Sequence, residues 1–342
     1  MQPYASVLIP TYTSVTMNNL HQDVTIAISF IAGLAIFLFG VQMMSERLKS
    51  VIGDRMKLII GRFTTNRFLG VFTGTVATAV LDSSSAVCII VVGLVHARAM
   101  SFPQALSVVM GANIGTTLSS QIYALDLVKY GSVLLLPGLL LMWLGRTETW
   151  RHWGGVAFGL GLVFFALHFI EQAVHPLRED QRFRSLMTQL QNPLYGILAG
   201  AIVTAVIQSS SATMGILIAL IGQDAVSMPA AIAIMIGAEL GTCLDVLVAG
   251  LGRSREALRV GVFQLLFNAA SVVIAVGFTG PLADLSHMIA GEDPKRQLAT
   301  AHVLFNILGV LVFLPFTQTL AILVTRLVPN GKESATSNHP GS

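Results

Sequence analysis

The chain has 342 residues, of which 54% are hydrophobic and only 11% are Asp, Glu, Lys or Arg, with a formal net charge of +3. An ordinary soluble protein carries about 25% charged residues, so this chain cannot clothe a surface for water and belongs in a bilayer. A soluble enzyme, a nucleic-acid binder and a disordered chain are excluded.

Residues 1–23 contain no Lys or Arg, are rich in Ser and Thr, and lack the basic start of a signal peptide, so they read as a polar N-terminal tail. Apolar runs at 24–44, 104–125, 130–145, 153–174, 230–250, 257–280 and 298–325 predict about seven spanning helices. The run 130–145 is short against the roughly 20 residues a helix needs to cross. Two further stretches differ. Phe68–Leu81 and Ala86–Ala97 are joined by Asp82-Ser83-Ser84-Ser85, and Leu194–Ile207 and Ala212–Gly222 by Gln208-Ser209-Ser210-Ser211. No arm is long enough to cross a hydrocarbon core of about 30 Å. Each pair therefore predicts a re-entrant helical hairpin, at 68–97 and 194–222. Such broken backbone is tolerated at depth only inside protein or beside a water-filled cavity. Residues 329–342 read as a polar C-terminal tail. Cys88 and Cys243 lie in apolar segments, with neither a disulfide framework nor a metal spacing.

With the N-terminus outside, 14 basic residues fall inside and 6 outside. Six of the inner ones crowd the expected loop 45–67: Arg47, Lys49, Arg55, Lys57, Arg62 and Arg67. The positive-inside rule favours this orientation, with the C-terminus cytoplasmic. The external loop 175–192, with three Arg, runs against it.

Shifted by 126 residues, Arg67–Leu125 overlies Pro193–Leu251 without a gap, with 21 identities in 59 positions. Gly70/Gly196, Gly74/Gly200, Thr78/Thr204, Pro103/Pro229, Gly111/Gly237 and Gly115/Gly241 flank the matched serine triplets. The chain is an internal duplication: repeat 1 at 24–150, repeat 2 at 151–280, and an additional helix at 281–328. Three spans and one hairpin per unit put the second copy into the membrane from the opposite side. The expected fold is an all-α polytopic membrane protein of inverted-topology repeats. Secondary transporters built this way bind substrate at the midplane, where broken helices meet.

Ser83, Ser84, Ser85, Ser209, Ser210 and Ser211 sit where one half-helix ends and another begins. Serine caps helix N-termini, and exposed N–H groups there favour anions. Two such ends aimed at one centre suit a tetrahedral oxyanion, although small serines also simply let helices pack. In Gly111–Thr117 and Gly237–Cys243, glycines four apart usually mean close helix packing. That does not account for Asn113, Thr116, Thr117, Glu239 and Thr242, which are polar groups needing partners at depth. The intramembrane carboxylates are Asp82, Glu239 and Asp245, and neither hairpin tip nor either glycine motif contains Lys or Arg. An anion arriving there needs co-bound cations or protonated acids, which is a physical reason for coupled transport. An intramembrane hydrolase with a serine nucleophile and one of His96, His168 or His302 as base is disfavoured. No Gly-x-Ser-x-Gly elbow exists, and the serines are duplicated while the histidines are not.

The paired SSSA hairpins, with QSSSAT at 208–213, GANIGTT at 111–117, GLAIFLFGVQMMSERL at 33–48, QLLFN at 264–268 and AHVLFN at 301–306 resemble the type II sodium–phosphate cotransporter family and its bacterial members. The resemblance covers about residues 30–315. It implies a non-enzymatic, sodium-coupled symporter taking up inorganic phosphate, in the bacterial inner membrane, and a homodimer. It implies no cofactor beyond co-transported sodium. Ser83–Ser85 and Ser209–Ser211, with Asn113, Thr116 and Thr242, would bind substrate. Asp82, Gln208, Ser85, Ser211, Thr117 and Glu239 would hold sodium. This sequence departs from the family's pattern in having Asp82 where Gln is usual, and Glu239 where the repeat mate is Asn113. A cation- or proton-coupled carrier of another small anion, using Asp82 and Glu239, is the alternative.

Overall fold

The computed structural model describes residues 9–125 and 128–330, and side chains from residue 24 except 126–129. The expected C-terminal tail lies outside the described residues from 331 onward, as do the first eight residues of the N-terminal one.

No strand occurs among the described residues. The helices in order are α1 (Ile9–Arg62), α2 (Arg67–Leu81), α3 (Ser84–His96), α4 (Phe102–Tyr123), α5 (Val128–Gly131), α6 (Leu135–Leu144), α7 (Glu148–Val174), α8 (Gln181–Gln189), α9 (Pro193–Ile207), α10 (Ser210–Gly222), α11 (Met228–Gly241), α12 (Cys243–Gly250), α13 (Arg255–Val276), α14 (Thr279–Ala290), α15 (Pro294–Phe313) and α16 (Thr317–Leu327). Among the described residues five stretches are long and apolar enough to cross a membrane, Val24–Arg62, Glu148–Arg178, Met228–Gly250, Arg255–Val276 and Pro294–Leu327, or six if the bent pair Gln181–Gln189 and Pro193–Ile207 is one span. The fold is an all-α polytopic membrane protein.

Two of the seven expected spans are not among these five. Residues 132–144 form only a short apolar helix. α4 has the length, but it carries Ser107, Asn113, Thr116, Thr117, Ser119 and Ser120, and all six are buried between other helices rather than facing lipid. The chain from 45 to 62 is not a loop. α1 continues through it to Arg62, since a helix satisfies its own backbone bonds on either side of the lipid boundary. The stretch 175–192 is also largely helical, and α8 meets α9 at 103°.

Both expected hairpins appear as helix pairs broken at two residues. α2 ends at Asp82 with φ 51° and ψ 35°, and α9 ends at Gln208 with φ 59° and ψ 29°. The next residues, Ser83 and Ser209, are extended and open α3 and α10. Each pair sits in its own apolar core, Val87, Cys88, Val91 and Val92 in one and Ala212, Met214, Leu217 and Ile218 in the other.

The duplication shows in the packing. α2 lies along α4 as α9 lies along α11, and α1 runs along α7. A Cβ on Gly74 would press into the carbonyl oxygen of Val108, and one on Gly200 into that of Ile234, 126 residues on. Gly111 and Gly237 meet the carbonyls of Val71 and Ile197 in the same way. The glycine motifs are therefore contact surfaces that let two helix backbones touch, and α4 runs unbroken through its copy. Gly237→Ala should cost about 3 kcal/mol or more by forcing α9 and α11 apart. Gly280→Ala, with nothing within 4 Å, is the control. Equal thermal stability of the two variants in detergent would refute this origin of the motif.

Candidate functional site

The two breaks have the same local chemistry. Ser83 Oγ accepts from Ala86 N and Ser209 Oγ from Ala212 N, both at 3.1 Å. Each is a serine N-cap that satisfies one of the orphan amides opening a helix. The next serines are different. Ser84 and Ser210 are buried, and neither hydroxyl has a partner among the described residues. Ser211 is likewise buried without a side-chain bond. These hydroxyls, with the amides of the first helical turn, are the donors the site can offer to a ligand.

The first residue of each tetrad separates the two tips. Asp82 is partly buried, receives a hydrogen bond from Ser119 Oγ on its Oδ1, and has a buried Oδ2 with no partner. Gln208 has the same backbone conformation but is exposed. Ser85 reaches the other repeat, donating to Asp245 Oδ2 at 3.3 Å. More broadly, α3 packs on α12 and α13 of repeat 2, while α10 packs on α4 of repeat 1.

The polar residues of the glycine motifs face inward. Thr116 and Thr117 bond back to the carbonyls of Asn113 and Ile114 at 2.6 and 2.7 Å, and Thr242 to that of Glu239 at 3.3 Å. Asn113 donates to Asn268 Oδ1 at 2.7 Å, and Asn268 donates in turn to Glu239 O at 3.0 Å. This stitches repeat 1 to repeat 2 through α13. Glu239 is 2% exposed, and its Oε1 lies 2.9 Å from His302 Nε2 on α15. His302 Nδ1 lies 2.7 Å from Ser120 Oγ on α4. A single histidine, fully buried, thus holds α4 and α11 together.

Ser120, His302, Asn268, Ser119 and the contact of Asp245 were not among the expected site residues. Apart from the QLLFN and AHVLFN segments that hold Asn268 and His302, their signal was polarity inside apolar runs, which names a residue but not its partner. The histidine does meet a serine and an acid, the order of a hydrolytic triad. Ser120 and His302 are 0% exposed and Glu239 2%, so no substrate reaches that serine, and it lies outside the triplets. His96 accepts from Ser254 N, and His168 pairs with Gln172. Among the described residues no group of three His, Cys, Asp or Glu side chains could hold a metal ion.

Residues 36–172 and 174–312 each match the family model described as Na+/Pi-cotransporter, so the two halves are recognised separately. YqeW of Bacillus subtilis, an uncharacterized protein, is 28% identical over 309 residues, covering 89% of this chain and 99% of that one. YjbB of Salmonella typhimurium, described as a candidate inorganic phosphate export protein, is 28% identical over 313 residues, 91% of this chain but 57% of that one. The chain thus spans little more than half of YjbB. The human sodium-dependent phosphate transport protein 2B is 28% identical over 150 residues, 43% of this chain and 17% of that one. No solved structure matches.

Proposed function

Because the chain belongs to the Na+/Pi-cotransporter family, we propose that it is a sodium-coupled symporter that takes up inorganic phosphate and binds it between the two serine breaks. The observation that carries this reading is the matched pair of capped helix starts, each followed by a buried serine, Ser84 or Ser210, whose hydroxyl has no partner among the described residues. Two helix N-termini and their hydroxyls supply donors to a tetrahedral anion without a basic side chain.

In this reading Ser84, Ser85, Ser210 and Ser211 contact phosphate, and Ser83 and Ser209 hold the helix starts in place. Asn113, Thr116 and Thr242 support the site from behind, since their side chains are already bonded to helices. Asp82, Gln208, Ser85, Ser211 and Thr117 supply oxygen ligands to sodium. Glu239, bonded to His302, belongs to the framework between the halves. Sodium binds first and cancels carboxylate charge, and only then does the anion find a favourable site. That order makes the transport coupled. The similarity to YjbB concerns a protein described as an exporter, so flux is to be measured in both directions. Phosphate flux in proteoliposomes should follow an imposed sodium gradient. Equal rates with and without it would overturn the coupling.

We place the protein in a bacterial inner membrane as a homodimer of inverted repeats, N-terminus outside and C-terminus cytoplasmic. Cysteines introduced at Lys49 and at Gln181, after replacement of Cys88 and Cys243, should label from opposite sides. Labelling of both from one side would refute the inversion.

A further inference from the structure

We propose that a cavity between α13, α14 and α15 binds one acyl chain of a membrane lipid, with Ser271 donating a hydrogen bond to the chain's ester carbonyl. None of the residues lining it belongs to the serine breaks, and the proposal is independent of what the protein transports.

The cavity has a volume of about 330 Å³, at the small end of the roughly 300–1,000 Å³ of ligand pockets. It exists because α13 stops at Val276, α14 starts only at Thr279, and Gly309 of α15 presents no side chain to the space. Leu282 and Phe305 form part of its buried wall. Ile274, Phe278 and Leu308 line it too and are 44%, 60% and 48% exposed, so the cavity opens on the side of these helices that faces lipid.

Among the described residues Ser271 is the only polar side chain in the lining. It is 6% exposed, and its hydroxyl is buried without a hydrogen-bond partner. A hydroxyl on a helix can bond back to a carbonyl of its own helix, as Thr117 does to Ile114 and Ser286 to Ala283. Ser271 does not. A buried donor left without an acceptor is costly, and nearly all such groups find one. A bridging water is a poor answer, because it needs two to four polar partners and this lining offers one. An ion is a poorer one, since nothing here would balance its charge. The chemistry that fits is apolar along its length with a single acceptor. In a bilayer that describes an acyl chain ending at its ester. The depth agrees. Ser271 lies 16 residues beyond Arg255, the first residue of α13. That is about 24 Å along a helix, against a hydrocarbon core of about 30 Å. With Arg255 at one boundary of the core, the hydroxyl comes within about 6 Å of the other, close to where lipid esters lie.

The test is photo-labelling of the purified full-length protein in nanodiscs, with a phosphatidylcholine carrying a diazirine in one ester-linked chain. Peptides holding residues 271–285 and 305–313 should take up most of the label, ahead of the lipid-facing residues of α9 such as Val206, which is 79% exposed. An ether-linked probe, which lacks the carbonyl, should label the parent about two- to tenfold less, the range a neutral hydrogen bond supports. Ser271→Ala should lose labelling by the ester probe to the same extent and no longer distinguish the two probes. Gly309→Leu, which fills the cavity, should abolish the excess. Thermal unfolding separates loss of fold from loss of the site, and the ether probe needs no variant, so the test stands even where Gly309→Leu does not fold. Label spread evenly over the lipid-facing helices, equal labelling of the parent by ester and ether probes, or unchanged labelling of folded Gly309→Leu would each overturn the proposal. Labelling of these peptides in the monomer but not in a dimer would assign the cavity to a second copy and overturn it as well.

Discussion

Ser84→Ala and Ser210→Ala should each weaken phosphate binding by about 10- to 100-fold with little change in stability. Both residues are buried, and neither hydroxyl is hydrogen-bonded among the described residues, so their removal breaks no described internal bond. A hydrogen bond to a charged ligand contributes about 1.5–3 kcal/mol, which sets the range. The neighbouring serines should behave the opposite way. Ser83 and Ser209 are helix caps, and their replacement by alanine should cost about 1 kcal/mol of stability each. Labelled phosphate uptake gives the first effect and thermal unfolding in detergent the second. Normal uptake by both Ser84→Ala and Ser210→Ala would sink the two-half-site model. Equal stability losses at Ser83 and Ser84 would show that the serines serve only packing.

His302→Leu should destabilise the fold by about 3–5 kcal/mol, the cost of leaving one member of a buried ion pair or charge-assisted bond alone. Glu239 would keep its carboxylate in an interior where it is 2% exposed, and Ser120 would lose its ring nitrogen partner. The loss should fall on the contact between halves, because His302 bonds α4 of repeat 1 and α11 of repeat 2 at once. Replacing both partners, His302→Leu with Glu239→Leu, should recover much of the stability, since an apolar pair no longer strands a charge. Unfolding of the two single variants and the double one closes the cycle. Strict additivity would mean that the 2.9 Å contact carries no coupling energy.

The breaks at 82–83 and 208–209 were legible in the chain because two polar tetrads interrupt arms too short to cross, and because self-comparison doubles every signal. The glycine motifs were legible for the same reason, and the packing explanation for them is the one that the Val71, Val108, Ile197 and Ile234 carbonyls bear out. Composition sufficed for the bilayer and the all-helical class, since charges are too few for any other solvent.

Partnership is another matter. Ser120 and His302 are 182 residues apart in sequence, Ser85 and Asp245 160, and Glu239 and His302 63. In a soluble protein an apolar stripe would at least say which helix face turns inward. In lipid, both faces of a helix can be apolar, so period carries no direction and a polar residue such as His302 has no readable side. That α1 continues as helix to Arg62, past the apolar run that ends near residue 44, was missed for a different reason: the charged stretch after residue 44 reads as a loop, although charge does not end a helix. The sequence by itself determined the solvent, the duplication and the two breaks, because each is written in local composition or in repetition. Only the tertiary structure decided that Asp245 serves the hairpin of the other repeat and that His302 joins the halves, because those bonds form where distant helices happen to bring a donor within 3.3 Å or less of an acceptor.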